Sequence, residues 1–281
     1  MSKIIDAYIA DLRARGCKES TVKTRALQAM GILARLGEAG LCADPRRIGE
    51  AEVRAIAADP ALKESTAKTY VAILADLCAV MGNEAPRKVR ILWNRPVTEV
   101  VWIDTHDLRL MMDAADPTDR IVLVLGAMAG LRASEITALK VGDLHADSIT
   151  VRGKGHGAGL TVDQPIAPAV RAELDAYLRW RGRDPGTDRL VVWGPNDSTE
   201  PDMVRFALYR HVRRLGESVG VRATPHALRR LYATTMHEAG VDIVTVSRLM
   251  RHSSVETTMR YIRQDRRRDH EAVARLAAAL G

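Results

Sequence analysis

The chain has 281 residues, an apolar fraction of 47% and a formal net charge of +7. This length and composition are typical of two globular domains, each with its own core, and they exclude an intrinsically disordered chain as the expectation. The longest uninterrupted apolar stretch, residues 121–131, has about half of the roughly 20 residues that a membrane-spanning helix needs. Because Asp6 also interrupts any signal-peptide core, the sequence predicts a cytoplasmic protein without a membrane segment.

Cysteine usage and charge distribution narrow the expected chemistry further. The three cysteines, Cys17, Cys42 and Cys78, are odd in number and lack metal-type spacing, so we expect neither a disulfide framework nor a metal site. A phosphate-binding GxxxxGK[ST] loop is missing too, and no cofactor is expected. Residues 86–98 hold 4 basic and no acidic side chains, whereas residues 1–85 hold 12 and 11 and residues 99–281 hold 26 and 24. This concentration of positive charge favours a polyanionic partner.

The first 85 residues predict a small all-helical domain. Apolar residues recur at helical spacing in four segments, residues 4–12, 22–36, 53–58 and 69–80. The sequence KESTVKT of residues 18–24 returns as KESTAKT at residues 63–69, and in both copies Ser or Thr stands at the expected N-cap. Helix starts beside lysines suit phosphate groups, although capping alone explains the Ser and Thr equally well. The matching lysines predicted to contact DNA are Lys18, Lys23, Lys63 and Lys68.

The basic segment of residues 86–98, PRKVRILWNRPVT, predicts an extended linker between two domains. Pro86 and Pro96 disfavour a helix running through it. An extended basic strap suits a phosphate backbone, and a solvated hinge is the plainer alternative. The side chains predicted to contact DNA from this segment are Arg87, Lys88, Arg90 and Arg95.

Residues 99–281 predict a mixed, mostly helical domain. Two β-branched runs, residues 148–151 and 160–166, flank the glycine-rich RGKGHGAG and indicate a hairpin. Helical patterns fill most of the remainder: residues 102–114, 120–129, 133–139, 168–180, 202–219, 225–239, 243–250, 255–263 and 266–280. The predicted fold class is therefore mainly α with a small β-hairpin or sheet (α+β), arranged as a helical domain followed by a mixed, mostly helical one.

Three short motifs in the second domain carry candidate chemistry. Thr224 and Pro225 start a helix that places His226 and Arg229 on one face, one turn apart. In AGLRASEI, Arg132 follows a tight turn at Gly130 and has Glu135 one turn away as a possible partner. In RHSS, His252 precedes a helix that carries Tyr261. Each motif taken alone also arises through ordinary packing or surface ion pairing.

The ordered set GLRASE, GKG, HALR and RHSS, followed by a tyrosine, resembles the tyrosine recombinase or phage integrase family over about residues 100–265. Residues 1–85 are similar to the family's core-binding domain in size, helicity and position, and the simple two-domain form resembles recombinases that resolve chromosome dimers. The resemblance implies six catalytic residues: Arg132, Lys154, His226, Arg229, His252 and Tyr261. Arg251 stands where glycine is usual. After Lys154 the hairpin lacks the further Lys and Arg that the family commonly has there, so Arg152 and His156, which flank Lys154, are alternatives to it.

The resemblance implies a site-specific recombinase that cuts and rejoins DNA without ATP or metal. Two arginines would bind the phosphate, Tyr261 would attack it to form a 3′-phosphotyrosyl intermediate, His226 would accept a proton and Lys154 would donate one. The implied partners are double-stranded DNA and further copies of the chain, from dimer to tetramer, held by the helix of residues 266–280. Packing of this helix on its own domain is the alternative. The biological role would be DNA integration and excision or dimer resolution. A type IB topoisomerase and a catalytically silent DNA-binding regulator are the alternatives.

Overall fold

The computed structural model describes residues 2–93, 100–152, 161–182, 188–193, 201–252 and 254–259. The chain divides into two units, Met1–Thr98 and Glu99–Gly281. Arg95, Lys154, His156, Tyr261 and the predicted helix of residues 266–280 lie outside the described residues. Within the described stretches, no helix is both long enough and apolar enough to cross a lipid bilayer.

The N-terminal unit is built from helices alone over its described residues. They are α1 (Ser2–Ala14), α2 (Glu19–Glu38), α3 (Glu50–Ala57), α4 (Glu64–Val80) and the short α5 (Ala85–Lys88). Their apolar faces meet in a core that includes the fully buried Tyr8, Ile32 and Leu74. Burial of these apolar side chains stabilises the unit in proportion to the apolar surface that it removes from water. The prediction of a small all-helical region is confirmed for these residues.

The two KEST repeats begin helices in the same way, but the capping prediction is wrong. The N-cap residues are Lys18 and Lys63, with nearly identical backbone angles (φ −62°, ψ 143° and φ −64°, ψ 144°) and no side-chain cap hydrogen bond. Each helix starts with the glutamate that follows, because a carboxylate in the first turn is favoured by the helix dipole. The serines therefore lie within the first turn, and a side-chain cap does not explain the repeat.

The predicted linker starts as part of the N-terminal unit. Pro86 lies in the first turn of α5, where its missing N–H removes no helical hydrogen bond, so the expectation of extended chain is wrong for this turn. Val89 and Ile91 then pack against the core of the N-terminal unit. The basic side chains of this stretch are thereby held on a folded surface up to Trp93.

Over its described residues the C-terminal unit is mostly helical with one small sheet, which confirms the predicted fold class. Its helices are α6 (Thr105–Ala114), α7 (Pro117–Ala127), α8 (Ala133–Ala138), α9 (Pro168–Arg181), α10 (Pro201–Ser218), α11 (Pro225–Glu238), α12 (Ile243–Leu249) and α13 (Val255–Met259). Strands β1 (Ser148–Arg152) and β2 (Thr161–Pro165) pair antiparallel, with Ile149 opposite Gln164. A single 3₁₀ turn, Val141–Asp143, precedes the hairpin.

Helix α7 is the centre of the C-terminal core. Its residues from Ile121 to Ala127 are buried, and α9, α10 and α11 pack around it. Helix α11 comes especially close, because a Cβ added at Gly126 would lie 3.0 Å from the Cβ of Leu228. This close approach fixes α11, and with it His226 and Arg229, relative to the turn that follows α7.

One error in the predicted boundaries concerns the start of α6. A helix was expected from residue 102, but α6 begins at Thr105, after Asp104. The Asp104 carboxylate accepts a hydrogen bond from the Asp107 backbone N–H at 2.9 Å, and the Asp107 side chain accepts one from the Asp104 backbone N–H at 3.1 Å. This reciprocal cap makes Asp104 the N-cap, so the helix begins after it. The apolar residues before Asp104 follow the same hydrophobic pattern but are not helical.

Candidate active site

The turn between α7 and α8 presents Arg132. Gly130 adopts φ +66°, and a Cβ there would lie 2.5 Å from the ring of Tyr232, so glycine is required by both conformation and space. Arg132 is the N-cap of α8. Glu135 accepts hydrogen bonds from the Arg132 backbone N–H and from its Nη1, both at 2.8 Å. The predicted partnership of these two residues is confirmed.

Arg229 lies beneath this turn, on the first turns of α11. Its side chain is fully buried, and its terminal nitrogens donate hydrogen bonds to the carbonyls of Gly130 and Met250. Its Nη1 also lies 3.7 Å from Glu135 Oε2. A buried guanidinium is costly unless it is paired and hydrogen-bonded, so these contacts are the condition for its placement. Arg229 thus joins the turn after α7 to the end of α12.

Arg251 follows α12 and brings a third guanidinium to the same carboxylate. Its backbone has φ 53°, the left-handed region, which costs a residue other than glycine about 1–3 kcal/mol. This conformation gives a physical reason for the glycine that is usual at this position. The Arg251 side chain is 7% exposed, and its Nη2 donates to Glu135 Oε2 at 2.6 Å.

The charges of this cluster do not balance. Glu135 is shared by the guanidiniums of Arg132, Arg229 and Arg251, so the four groups carry two more positive than negative charges. Burial alone would raise the pKa of Glu135, but attraction to Arg251 and Arg132 outweighs it, and its pKa lies below the usual value. The carboxylate is therefore charged at neutral pH, and the excess positive charge favours an anion beside the cluster.

Two histidines border the arginine cluster, and both are neutral at pH 7. Burial, together with repulsion from Arg229 and Arg132, lowers the pKa of His252 to about 4. Burial and the neighbouring arginines, Arg230 first, also lower the pKa of His226. The Nδ1 of His252 lies 2.7 Å from the hydroxyl of the buried Thr258, a contact that orients the ring. Neutral imidazoles can accept a proton or share a hydrogen bond with a phosphate.

The structure argues against Arg152, one of the two alternatives to Lys154 as the proton donor. Arg152, at the end of β1, donates two hydrogen bonds to the buried Asp143, at 2.6 and 2.7 Å. These bonds raise the pKa of Arg152 above its already high ordinary value, so it is unsuited to give up a proton. Lys154 and His156 lie outside the described residues, and their roles stay predictions.

The structure adds residues that the sequence did not single out. Gln164 is buried on β2 and accepts a hydrogen bond from Arg251, and Tyr232 packs over Gly130. Burial raises the pKa of Tyr232, which makes it a poor nucleophile. No pattern in the sequence marks Gln164, because one buried amide in a short strand has no periodic signature. Tyr261 lies outside the described residues, and its role stays a prediction.

The basic residues predicted to contact DNA fall into two groups in the N-terminal unit. Lys68 pairs with Glu64 at 2.8 Å, and Arg87 pairs with Glu84 at 3.1 Å and lies 3.6 Å from Asp76. The others whose placement is described are exposed: Lys18, Lys23, Lys63, Lys88 and Arg90. Within the described part of the chain these five side chains form no ion pair, so they can meet a phosphate without first losing one, and this second group is the stronger set of candidates.

Comparison with known proteins identifies a family for the C-terminal unit. A family model described as the phage integrase family matches residues 101–268, which is more than half of the 281-residue chain. Among curated proteins, the tyrosine recombinase XerA of Pyrococcus furiosus is 34% identical over 159 residues, covering 56% of this chain and 54% of that protein. The chain thus spans about half the length of the curated relatives that it matches.

Solved structures agree with the fold over nearly the whole chain. The Tn1549 transposon integrase in complex with transposon right end DNA has a TM-score of 0.72 at 19% identity, covering 98% of this chain and 99% of that one. A lambda integrase dimer bound to a COC′ core site has a TM-score of 0.70 at 17% identity, covering 93% and 94%. At these identities the likeness is evidence for the fold alone.

Proposed function

Because this chain belongs to the phage integrase family, we propose that it is a site-specific DNA recombinase that cuts and rejoins DNA strands. The observation that carries the proposal is the cluster of three guanidiniums around Glu135, with its two unbalanced positive charges. A phosphodiester is a monoanion that gathers charge on its non-bridging oxygens during substitution, and paired guanidinium N–H groups match those oxygens. The cluster therefore suits a DNA phosphate.

The proposed reaction is an exchange of one phosphoester bond for another. The Tyr261 hydroxyl attacks the phosphorus, and the bond to the 5′ oxygen breaks. His226, neutral because of its lowered pKa, accepts the tyrosine proton. Lys154 donates a proton to the leaving 5′ oxygen, and His252 hydrogen-bonds the phosphate. The 3′-phosphotyrosine keeps the energy of the broken bond, so a 5′ hydroxyl from another strand can reverse the step without ATP.

Arg132 and Arg229 have different parts in the proposed phosphate site. Arg132 is 31% exposed and its guanidinium lies at the start of α8, so it contacts the phosphate directly. Arg229 is fully buried, and its hydrogen bonds to the carbonyls of Gly130 and Met250 hold the turns that carry Arg132 and His252. Its charge adds to the positive potential that the phosphate meets.

The N-terminal unit is proposed as a second DNA-binding surface. The twin helix starts at Lys18 and Lys63, free of side-chain caps, present backbone N–H groups beside exposed lysines. Lys88 and Arg90 add two exposed basic side chains to the same unit. Contacts of this kind bind the duplex irrespective of base sequence and position it on the protein.

The proposed working form is an oligomer on double-stranded DNA, because strand exchange needs two cut duplexes held together. The similarity to an integrase whose structure is a DNA-bound dimer supports this assembly. The C-terminal helix of residues 266–280 is the proposed contact between copies. A DNA substrate also agrees with the cytoplasmic location expected from the sequence.

The test is covalent capture of DNA. Wild type and Tyr261→Phe are incubated with a library of randomised duplexes and with fragments of the host genome, denatured, and analysed for protein-linked strands. Wild type should yield linked DNA that shares one sequence, and Tyr261→Phe should yield none. Joining of the captured strand to a second duplex distinguishes recombination from topoisomerase-like relaxation. Absence of linked DNA from wild type on both substrates would overturn the proposal.

A further inference from the structure

Arg251 is the residue at which this chain departs from its family in the middle of the site. Glycine is usual there, and φ 53° is a conformation that glycine adopts without strain. An arginine in this conformation is disfavoured by its own backbone. Its contacts must therefore account for its presence.

The Arg251 side chain joins three segments of the C-terminal unit. Its Nη2 donates to Glu135 on α8 at 2.6 Å, and its Nη1 donates to the carbonyl of Leu249 at 3.1 Å and to Oε1 of Gln164. Gln164 is 1% exposed and lies on β2. The Arg251 side chain is 7% exposed, so its contacts are shielded from water.

The Arg251 backbone is also hydrogen-bonded to the Arg132–Glu135 pair. Its carbonyl accepts a hydrogen bond from Arg132 Nη2 at 3.0 Å, while Arg132 Nη1 donates to Glu135 at 2.8 Å. Arg132, Glu135 and Arg251 thus form a closed ring of hydrogen bonds. The position of the phosphate-binding arginine depends on this ring.

Strand β2 has fewer contacts of its own than β1. Among the described residues β1 also bridges to Leu144 and buries Ile149 and Val151 in the core, whereas β2 pairs with β1 alone. Two-stranded sheets are marginal without tertiary contacts, so a contact from β2 to the rest of the unit adds to its stability. The chain between these strands carries Lys154. A contact that fixes β2 therefore fixes the strand that directly follows the segment carrying that lysine.

We propose that Arg251 is a positioning residue that anchors strand β2 to the Arg132–Glu135 pair and so sets the hairpin against the bound phosphate. The terminal nitrogens of both Arg251 and Arg132 are hydrogen-bonded, but the Arg251 side chain is only 7% exposed, whereas that of Arg132 is 31% exposed and open to a ligand. Arg251 thus acts through Gln164 and Glu135 and does not bind the phosphate itself. The inference rests on the proposed function for its consequence in cleavage, and on described contacts for the anchor.

The anchor is tested first by hydrogen exchange of the full chain without DNA. Arg251→Gly removes the guanidinium and relieves the backbone, and it should raise the exchange rates of the β2 amides by roughly tenfold or more, as expected for loss of a hydrogen bond to a charged group. Arg248→Ala, which removes an exposed guanidinium nearby, should leave them unchanged. If Arg251→Gly does not fold, Gln164→Leu removes the same contact from the strand side, together with the hydrogen bond that Gln164 Nε2 donates to the Tyr232 hydroxyl at 3.4 Å, and Tyr232→Phe, which removes only the latter bond, is its control. Unchanged exchange at β2 in the folded variant would overturn the anchor.

The consequence for cleavage is tested with the duplex recovered by covalent capture. Arg251→Gly should slow cleavage more than it weakens DNA binding, and a duplex whose leaving 5′ oxygen is replaced by sulfur, which needs no proton, should restore the rate. Lys154→Ala should respond in the same way, and Arg132→Lys should not be restored. Slow cleavage of the sulfur duplex by Arg251→Gly would place this residue with the phosphate-binding arginines and overturn the proposal. If wild type cleaves neither duplex, the proposed function fails, while the exchange measurement still decides the anchor.

Discussion

At the scale of single residues, the arginines of the cluster differ in what surrounds them. Arg132 is 31% exposed and shares its hydrogen bonds with Glu135, whereas Arg229 is fully buried and donates to two backbone carbonyls. Substitution by lysine keeps the charge of either residue but replaces a planar fork by a point charge. The two lysine variants are therefore expected to fail for different reasons.

The first prediction concerns these two variants. Arg132→Lys should reduce the cleavage rate by roughly 100-fold, the effect of losing one preorganised donor, with little change in stability. Arg229→Lys should reduce cleavage and also destabilise the C-terminal unit by about 1–3 kcal/mol or more, because buried carbonyls are left without donors. Single-turnover cleavage and urea unfolding measure the two effects. A stable Arg229→Lys protein would contradict the structural part assigned to this residue.

The second prediction concerns His252 and pH. Its pKa of about 4 in the folded chain lies below the value of about 6.5 for an unfolded histidine. Between these values the unfolded chain binds a proton that the folded chain does not, so the contribution is fully present above about pH 6.5 and is lost as pH falls toward 4. Urea unfolding at about pH 7 and pH 5 should show a larger loss of stability for wild type than for His252→Gln. Equal losses in the two proteins would contradict the lowered pKa.

At the scale of helices and turns, the site is built where α7, α8, α11 and α12 begin or end. The turn at Gly130 brings Arg132 over α11, and Tyr232 fills the space that a side chain at Gly130 would need. The turn at Arg251, after α12, brings the Arg251 carbonyl to Arg132 and its guanidinium to Glu135. These short segments determine the geometry, while the buried helix α7 supplies the rigid support.

The third prediction uses two glycines of similar conformation. Gly130 and Gly220 have φ +66° and +74°, but a Cβ at Gly130 would lie 2.5 Å from Tyr232, whereas one at Gly220 would meet nothing within 4 Å. Gly220→Ala should cost about 1–3 kcal/mol of stability from its backbone alone. Gly130→Ala should cost clearly more, because the ring of Tyr232 must also move. Urea unfolding compares them, and equal losses would mean that the contact with Tyr232 carries no strain.

Sequence periodicity was sufficient to predict most of these elements, because amphipathic helices and a glycine-flanked hairpin leave a local pattern. It failed at the start of α6, where a reciprocal cap makes the helix begin after Asp104, and at the KEST repeats, where lysine is the N-cap. The partnership of Arg132 and Glu135 could be predicted because the two residues are one helical turn apart. The contacts of Arg251 with Gln164 and Glu135 span 87 and 116 residues of sequence, and no local pattern indicates them.

At the scale of the whole molecule, charge distribution is the feature from which DNA binding by the N-terminal unit is proposed. The basic segment after α4 starts on the folded surface of the N-terminal unit, and Lys88 and Arg90 are exposed there. Arg87 is engaged with Glu84 and Asp76, so a phosphate contact by Arg87 would first have to displace these carboxylates. The exposed residues should therefore account for most of the electrostatic attraction from this segment.

The fourth prediction concerns the salt dependence of DNA binding. Changing Lys88 and Arg90 together to Gln should lower the slope of log affinity against log salt by roughly 0.9 for each lost phosphate contact, nearly uniformly across DNA sequences. Arg87→Gln should lower it less, because its ion pairs are lost at the same time. Arg46→Gln, which removes an exposed arginine paired with Asp44 elsewhere in the unit, is the matched control. An unchanged slope in the double variant would mean that Lys88 and Arg90 make no phosphate contact.

The central claim is that Tyr261 becomes bonded to DNA, and the most direct measurement identifies the linked residue. Protein–DNA adducts formed by wild type are digested with protease and nuclease, and the peptide that carries the remaining nucleotide is sequenced by mass spectrometry. We predict a 3′-phosphonucleotide on Tyr261. A nucleotide on any other residue, such as Tyr232, would contradict the claim.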